Sequence, residues 1–415
     1  MVGQMEQSLV RILRGAKGSF ISPKIQVKRF PSMGLGIQAV EPIDSGEVVF
    51  VASSDVWREY SAGTARAEAR QQAPAFVERV DSYCGNNQRM ADAVLLATHI
   101  VVGDASDVYL NSLPPVLDVP MYWTERRLDE LRHCDVRHTI VNARQVYRKM
   151  HTDLFGSTAP MVSSIDFQWA LSVLMSRATS GKDQPFTLIP YFEWFNHSHA
   201  KSACEHAYVE KDDSFVIRTT APHAPNDQLY INYGDHHTPA TYLRHYGFAS
   251  IEHARVLDPV MMHDKVSFHD LPDSDGSKAT KLRLLHALGW PVEKAKPFTV
   301  HMAGSTDQVD VWDWLRLYVA TADELTHRQT HPSSVPWLES NSQRLQALVK
   351  QLCQARLAQY PSSPEDDFDL LRLHHATLEP WHAACVNVRL AEKLVLRSFL
   401  DQLDSRDAGS NMFRA

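Results

Sequence analysis

The sequence predicts an α+β fold, in which a mostly β core is interrupted by one helical segment and followed by another. Three observations carry this reading. Period-two apolar alternation marks short strands in the first fifty residues. The same signal returns between Tyr208 and Tyr233. Helical spacing of apolar residues fills positions 57–178 and resumes beyond about 251.

The elements follow in chain order. Ile25 and Val27 alternate with Lys24, Gln26 and Lys28, a half-buried strand that Met33-Gly34-Leu35-Gly36 is expected to break. Asp44-Ser45-Gly46 is a turn signal, and the apolar residues 48–51 after it predict a second strand. Ala91, Val94, Leu95 and Thr98 share one helical face, and Leu113-Pro114-Pro115 is a loop. Ser163 with Asp166 three residues on resembles a capping box, opening a helix through Phe167, Ala170, Leu171 and Leu174 that delivers Arg177 at its end. Strands are expected at 208–209 and 215–218, around the polar turn 211–214, and again at 229–233. Leu282, Leu285 and Leu288 mark a helix before the stop signal Gly289-Trp290-Pro291, and Leu345, Leu348 and Leu352 mark a later one, so the last third reads as all-α. Residues 273–277 and 361–364 are loops.

Composition narrows the class. A chain of 415 residues buries enough surface for two or more domains without metal or disulfide support. The 42 basic and 49 acidic residues give a net charge of -7, so no global attraction to nucleic acid or an anionic membrane is expected and any partner must be recognised locally. Cys84, Cys134, Cys204, Cys353 and Cys385 form no CxxC pair and read as free thiols of a reducing compartment. No apolar run reaches the roughly 20 residues of a membrane span. The expected location is intracellular, cytoplasmic or nuclear. Arg11, Arg14 and Lys17 around Leu9, Val10, Ile12 and Leu13 form a pattern shared by short basic helical tails and mitochondrial transit peptides.

Two clusters bear polar groups at the end of apolar runs. In residues 189–199 an aromatic stretch containing Glu193 ends in Asn196-His197-Ser198-His199. Buried amides and imidazoles are costly unless hydrogen-bonded, so Asn196 and His197 either bind a polar ligand or staple backbone. In residues 226–235 a strand ends in Asn232-Tyr233-Gly234, and Tyr246-Gly247-Phe248 follows. Taken alone, Tyr233 reads equally as a core or edge aromatic. Gly34-x-Gly36 lacks the third glycine and helix start of a dinucleotide fingerprint. The chain has 21 histidines, but His197, His199, His206, His236, His237 and Cys204 form neither an ordered quartet nor a HExxH helix, so no metal site is expected.

The combination is more specific than its parts. Gly34-Leu35-Gly36, Ile43-x-x-Gly46-Glu47, Ser176-Arg177, Pro190-x-x-Glu193-x-x-Asn196-His197-Ser198, Tyr230-x-Asn232-Tyr233-Gly234 and Tyr246-Gly247-Phe248 resemble, in order and spacing, the SET-domain protein methyltransferases of the Rubisco large-subunit and actin-histidine type. The likeness spans about residues 23 to 400, including the insertion segment around Leu110-Asn111-Ser112-Leu113-Pro114. It implies a pseudoknotted SET core at 23–250 with a helical insertion at about 57–178, a helical substrate-binding domain at 251–415, and an N-terminal extension at 1–22. It further implies S-adenosylmethionine as cofactor, lined by backbone of Met33, Gly34 and Leu35, met at its carboxylate by Arg177 and bonded through Asn196 and His197. Tyr233 matches the catalytic tyrosine, while Tyr208 and Tyr246 match aromatics around the acceptor. The implied partner is a protein substrate, methylated on lysine or histidine. Glu193 stands where aspartate is usual, Gln228 where an acid is usual, and Thr238-Pro239-Ala240 replaces a serine-asparagine step. These departures leave the acceptor open, with Glu193 expected at the substrate channel. The alternative is a SET fold that has lost catalysis and serves as a binding module.

Overall fold

The apolar alternation of the first fifty residues resolves into β1 (Phe20–Ile21), β2 (Ile25–Phe30), β3 (Gly34–Ala39) and β4 (Val48–Ser53). The later signal becomes β5 (Asn196–His197), β6 (Cys204–Val209), β7 (Ser214–Thr219) and β8 (Gln228–Ile231). In this computed structural model the described residues are 4–405, except 32, 157–161, 180–185, 252–255, 263–265, 269, 291, 293–297, 303–308, 331–336 and 375–376. Pro291 of the expected helix stop lies outside them.

The strands form two four-stranded sheets. One has the order β1-β4-β7-β6 and is antiparallel throughout. The other has the order β2-β3-β8-β5, in which β5 runs parallel to β8, Asn196 opposite Tyr230 and His197 opposite Ile231. That pairing brings two distant polar clusters side by side.

The expected break at 33–36 is confined to the turn before Gly34, and β3 begins at Gly34 itself. Gly34 has φ of 75°, which lets the chain reverse into the pairing of Phe30 with Gly34. At Gly36 a Cβ would lie 2.6–2.7 Å from side-chain atoms of Gln228, Asn196 and Phe30, so only glycine lets β3 lie against the Asn196 amide.

Between β4 and β5 the chain is helical. The helix Gln88–Val102 buries Ala91, Val94, Leu95 and Ile100 on several sides because the helices Ala62–Gln72, Pro74–Cys84 and Ser164–Arg177 all pack on it. Ser163 caps Ser164–Arg177, its hydroxyl oxygen accepting from the Asp166 N–H at 3.1 Å. The Ser163 hydroxyl in turn donates to the Asp166 carboxylate at 2.7 Å, so the expected capping box is half formed.

Beyond β8 the chain is helical, ending in Pro380–Ser405, whose Val388, Leu390, Val395 and Phe399 are buried. It also contains β9 (Val260–Met262), paired antiparallel with β10 (Phe298–Val300). Each is three residues long, too short for a period to register in the sequence.

Two apolar cores result. The first joins the sheets to Leu9 and Leu13 of the N-terminal helix Gln4–Gly15 and to most of the insertion. The second holds the C-terminal helices together with Trp123, Leu128, Leu131, Cys134, Val136 and Ile140 from the middle of the insertion. Polar bonds reinforce this crossing. The Asp135 N–H donates to Glu392 at 2.9 Å, and the Asp135 carboxylate pairs with Arg356 at 2.9 Å.

Candidate active site

Two residues beyond β8, Tyr233 is fixed by both of its polar ends. Its N–H donates to His197 Nδ1 at 3.1 Å, and its hydroxyl donates to the Phe195 carbonyl at 3.0 Å. Nδ1 of His197 is therefore the unprotonated nitrogen. The Tyr233 ring lies 5.1 Å from that of His197 and 4.9 Å from that of Tyr246. Burial pushes the Tyr233 hydroxyl well above its ordinary range, so it is a neutral phenol and not a base.

The ring stands in a cleft of about 320 Å³, lined also by Arg177, Thr179, Glu193 and Tyr246. Arg177 reaches it from the end of its capped helix, with its guanidinium 3.8 Å from the Glu193 carboxyl. The Tyr109 hydroxyl donates to Glu193 Oε2 at 2.9 Å, and the Glu193 side chain is only 1% exposed. Burial pushes the Glu193 carboxyl up, while Arg177 and the Tyr109 hydrogen bond pull it down. Glu193 Oε1, Arg177 Nε and Thr179 Oγ1 are buried without a hydrogen-bond partner, and all three residues line the cleft. Unsatisfied polar atoms of this kind call for a ligand or another explanation.

Three histidines complete the lining. Burial lowers the pKa of His206 and, with help from His199 and His236, that of His237. Burial, Arg244 and His237 push His245 down to about 4. All three are neutral near pH 7. Tyr246 comes from the end of the helix Pro239–Tyr246, which terminates at Gly247, φ 81°. A Cβ on Gly247 would lie 2.2 Å from the Asp118 carbonyl oxygen, so glycine there lets the helix end seat against the insertion.

Met33, Gly34, Leu35, Asn196 and His197 do not line the cleft. Asn196 and His197 form β5 instead, and His197 joins that strand to Tyr233. Asn196 Nδ2 donates to the Leu35 carbonyl at 3.0 Å. Met33 is 50% exposed, and open space lies where a Gly34 Cβ would stand. The His197 ring stacks on Tyr242 at 4.7 Å and on exposed Phe248 at 5.9 Å. An approachable backbone, an aromatic face and a guanidinium with an orphaned Nε fit a ligand carrying a flat heterocycle, an amine and a carboxylate.

Tyr208 stands apart from the cleft lining. Its hydroxyl donates to Asp213 at 2.7 Å and its ring packs on Trp57 and Phe215, outside the cleft. His206, two residues earlier on β6, lines the cleft instead, and that step moves a side chain about 7 Å along a strand. Tyr109, Thr179 and His245 were not singled out by sequence. Thr179 follows Arg177 by two residues and is pinned by a bridge to Thr187, so its nearness to the motif was the available signal. Tyr109 arrives only by folding.

Among the described residues, no three His, Cys, Asp or Glu side chains are grouped to hold a metal ion. None of the described helices is long and apolar enough to cross a membrane.

Residues 34–234 match the SET domain, and residues 272–396 match the Rubisco LSMT substrate-binding domain. The chain is similar to the chloroplastic [fructose-bisphosphate aldolase]-lysine N-methyltransferase of Arabidopsis thaliana, 23% identical over 89% of this chain and 77% of that protein. It is similar to the chloroplastic ribulose-1,5 bisphosphate carboxylase/oxygenase large subunit N-methyltransferase of Nicotiana tabacum, 23% identical over 72% of this chain and 63% of that one. It is also similar to the actin-histidine N-methyltransferase of Homo sapiens, 23% identical over 73% of this chain and 54% of that one. The chain thus spans less than two thirds of the latter two. Among solved structures, Rubisco LSMT bound to AdoMet superposes with a TM-score of 0.70 at 18% identity, covering 97% of this chain and 92% of that one. Rubisco LSMT bound to sinefungin and monomethyllysine gives 0.71 at 20%, with the same coverage. Likeness at this level shows the fold.

Proposed function

The chain carries a SET domain followed by a Rubisco LSMT substrate-binding domain, and from that premise we propose that it is an S-adenosylmethionine-dependent protein N-methyltransferase acting on a lysine or histidine side chain. The observation that carries the reading is the buried, neutral Tyr233 hydroxyl, anchored to the Phe195 carbonyl within a cleft lined by orphaned polar atoms. We assign residues 23–250 to the SET domain, with the insertion at about 57–178, and 251–415 to substrate binding, after an extension at 1–22.

When bound, S-adenosylmethionine supplies a methyl group on a sulfonium, open to in-line attack by an acceptor nitrogen. The protein's part is alignment and electrostatics. Backbone at Met33, Gly34 and Leu35, with Asn196 and His197, borders the cofactor side. Arg177 offers its guanidinium to a carboxylate. The Tyr233 hydroxyl, held by the Phe195 carbonyl it donates to, keeps lone pairs for partial positive charge at the reacting centre. Tyr246 walls the acceptor side with its ring, and Glu193 faces the acceptor there. Tyr208, committed to Asp213, has no part in this assignment.

Calorimetric titration with S-adenosylmethionine and its demethylated product, paired with turnover of Tyr233→Phe, tests the reading. Saturable binding by both proteins is expected, with turnover in the variant lowered roughly 100- to 1,000-fold, the range for losing one positioned polar group. Asn196→Ala is expected to weaken binding itself. Folded protein that binds neither ligand would support the alternative, a binding module without catalysis.

A further inference from the structure

We propose that the acceptor is a neutral imidazole, a histidine side chain of the substrate protein, whose ring N–H donates to Glu193 Oε1; this rests on the methyltransferase reading above. The argument begins with charge. Among the described residues, Arg89 and Arg177 both line the cleft, Glu193 is the one carboxyl lining it, and His206, His237 and His245 are neutral there. A lysine ammonium entering such a space meets, among the described residues, two guanidiniums against one carboxylate. Held by that carboxylate, it is also stabilised in its protonated, unreactive form. An imidazole has neither difficulty, since it is largely uncharged near pH 7.

Hydrogen-bonding capacity points the same way. Glu193 Oε2 is taken by Tyr109, while Oε1 is buried, lacks a hydrogen-bond partner and belongs to the cleft lining. A neutral imidazole has one N–H donor and, on its other nitrogen, one lone pair. Donation of that N–H to Oε1 fixes the tautomer and leaves the lone pair for the methyl group. The acceptor nitrogen then forms the N–C bond as the C–S bond breaks, the electron pair passing to sulfur. The ring becomes a methylimidazolium, and its N–H proton, already shared with Glu193, is lost to solvent to restore neutrality.

The test is a protein extract freed of endogenous S-adenosylmethionine, incubated with the full chain and cofactor labelled in its methyl group. Total acid hydrolysis then separates methylhistidine from methyllysine, with Tyr233→Phe as background. Enzyme-dependent label is expected in methylhistidine. Label in methyllysine overturns the imidazole proposal and leaves the methyltransferase reading intact, whereas no enzyme-dependent label overturns both. Once the labelled protein is isolated as substrate, its rate should level off above about pH 7, whereas a lysine acceptor would keep gaining toward about pH 10. Glu193→Gln should lower kcat/KM at least tenfold with unchanged cofactor affinity, and Glu193→Asp should restore part of it. Full activity in Glu193→Gln would remove Glu193 from the acceptor.

Discussion

Gly247 shows how much of the site depends on single positions. A methyl group there meets the Asp118 carbonyl at 2.2 Å, and the φ of 81° is strained for any L side chain. Gly247→Ala is expected to cost at least about 2 kcal/mol in urea unfolding, and turnover should fall with it because the strained turn carries Tyr246. Of the motif residues singled out in the sequence, some meet in the structure and others stand apart from the cleft. Arg177, Glu193, Tyr233 and Tyr246 do share one cleft, and Asn196 does meet Leu35. Tyr109 was invisible because only tertiary packing brings it against Glu193, whereas His245 adjoins the motif residue Tyr246. Tyr208 stands apart because matching a position on β6 does not say which cross-strand neighbours claim the ring.

Elements were readable to the extent that their own periodicity specified them. The helix Ser164–Arg177 began where its cap predicted, since Ser163 satisfies an otherwise orphaned N–H. Ser163→Ala is expected to cost about 1 kcal/mol. Because that helix carries Arg177, the same variant should loosen S-adenosylmethionine binding measurably by calorimetry, an effect absent if the cap serves stability alone. β3 was read as a break because glycine is a poor strand former by propensity, yet here the missing side chain of Gly36 is what allows close approach to Asn196. β5 is two residues long, and its parallel partner lies far along the chain, so no local pattern announces the pairing that assembles the site.

At the scale of the whole molecule, the second core holds a buried carboxyl at its junction with the insertion. Glu392 accepts from the Asp135 N–H and from the Tyr360 hydroxyl, and stands 3.8 Å from Arg356. Burial and then the Asp135 charge push its carboxyl up to about 8, against the pull of Tyr360 and Arg356. A carboxyl raised on folding binds its proton more tightly in the folded state. Its contribution is full below the ordinary carboxylate range and is lost as pH rises toward about 8. Unfolding free energy should therefore fall between about pH 5 and 8, and Glu392→Gln should flatten that decline; an unchanged slope would assign the dependence to other groups.

Trp123, Leu128, Leu131, Cys134, Val136 and Ile140 belong by sequence to the insertion and by packing to the C-terminal core. Recognition modules that are merely appended can be traded between enzymes like cartridges, but this one has grown its roots into its host. A chimera that exchanges residues after 250 alone would set a foreign surface against six apolar side chains evolved for another. Carrying 123–140 along with the graft should restore soluble, cooperatively folding protein. Retargeting this scaffold to a new substrate is thus a two-segment transplant.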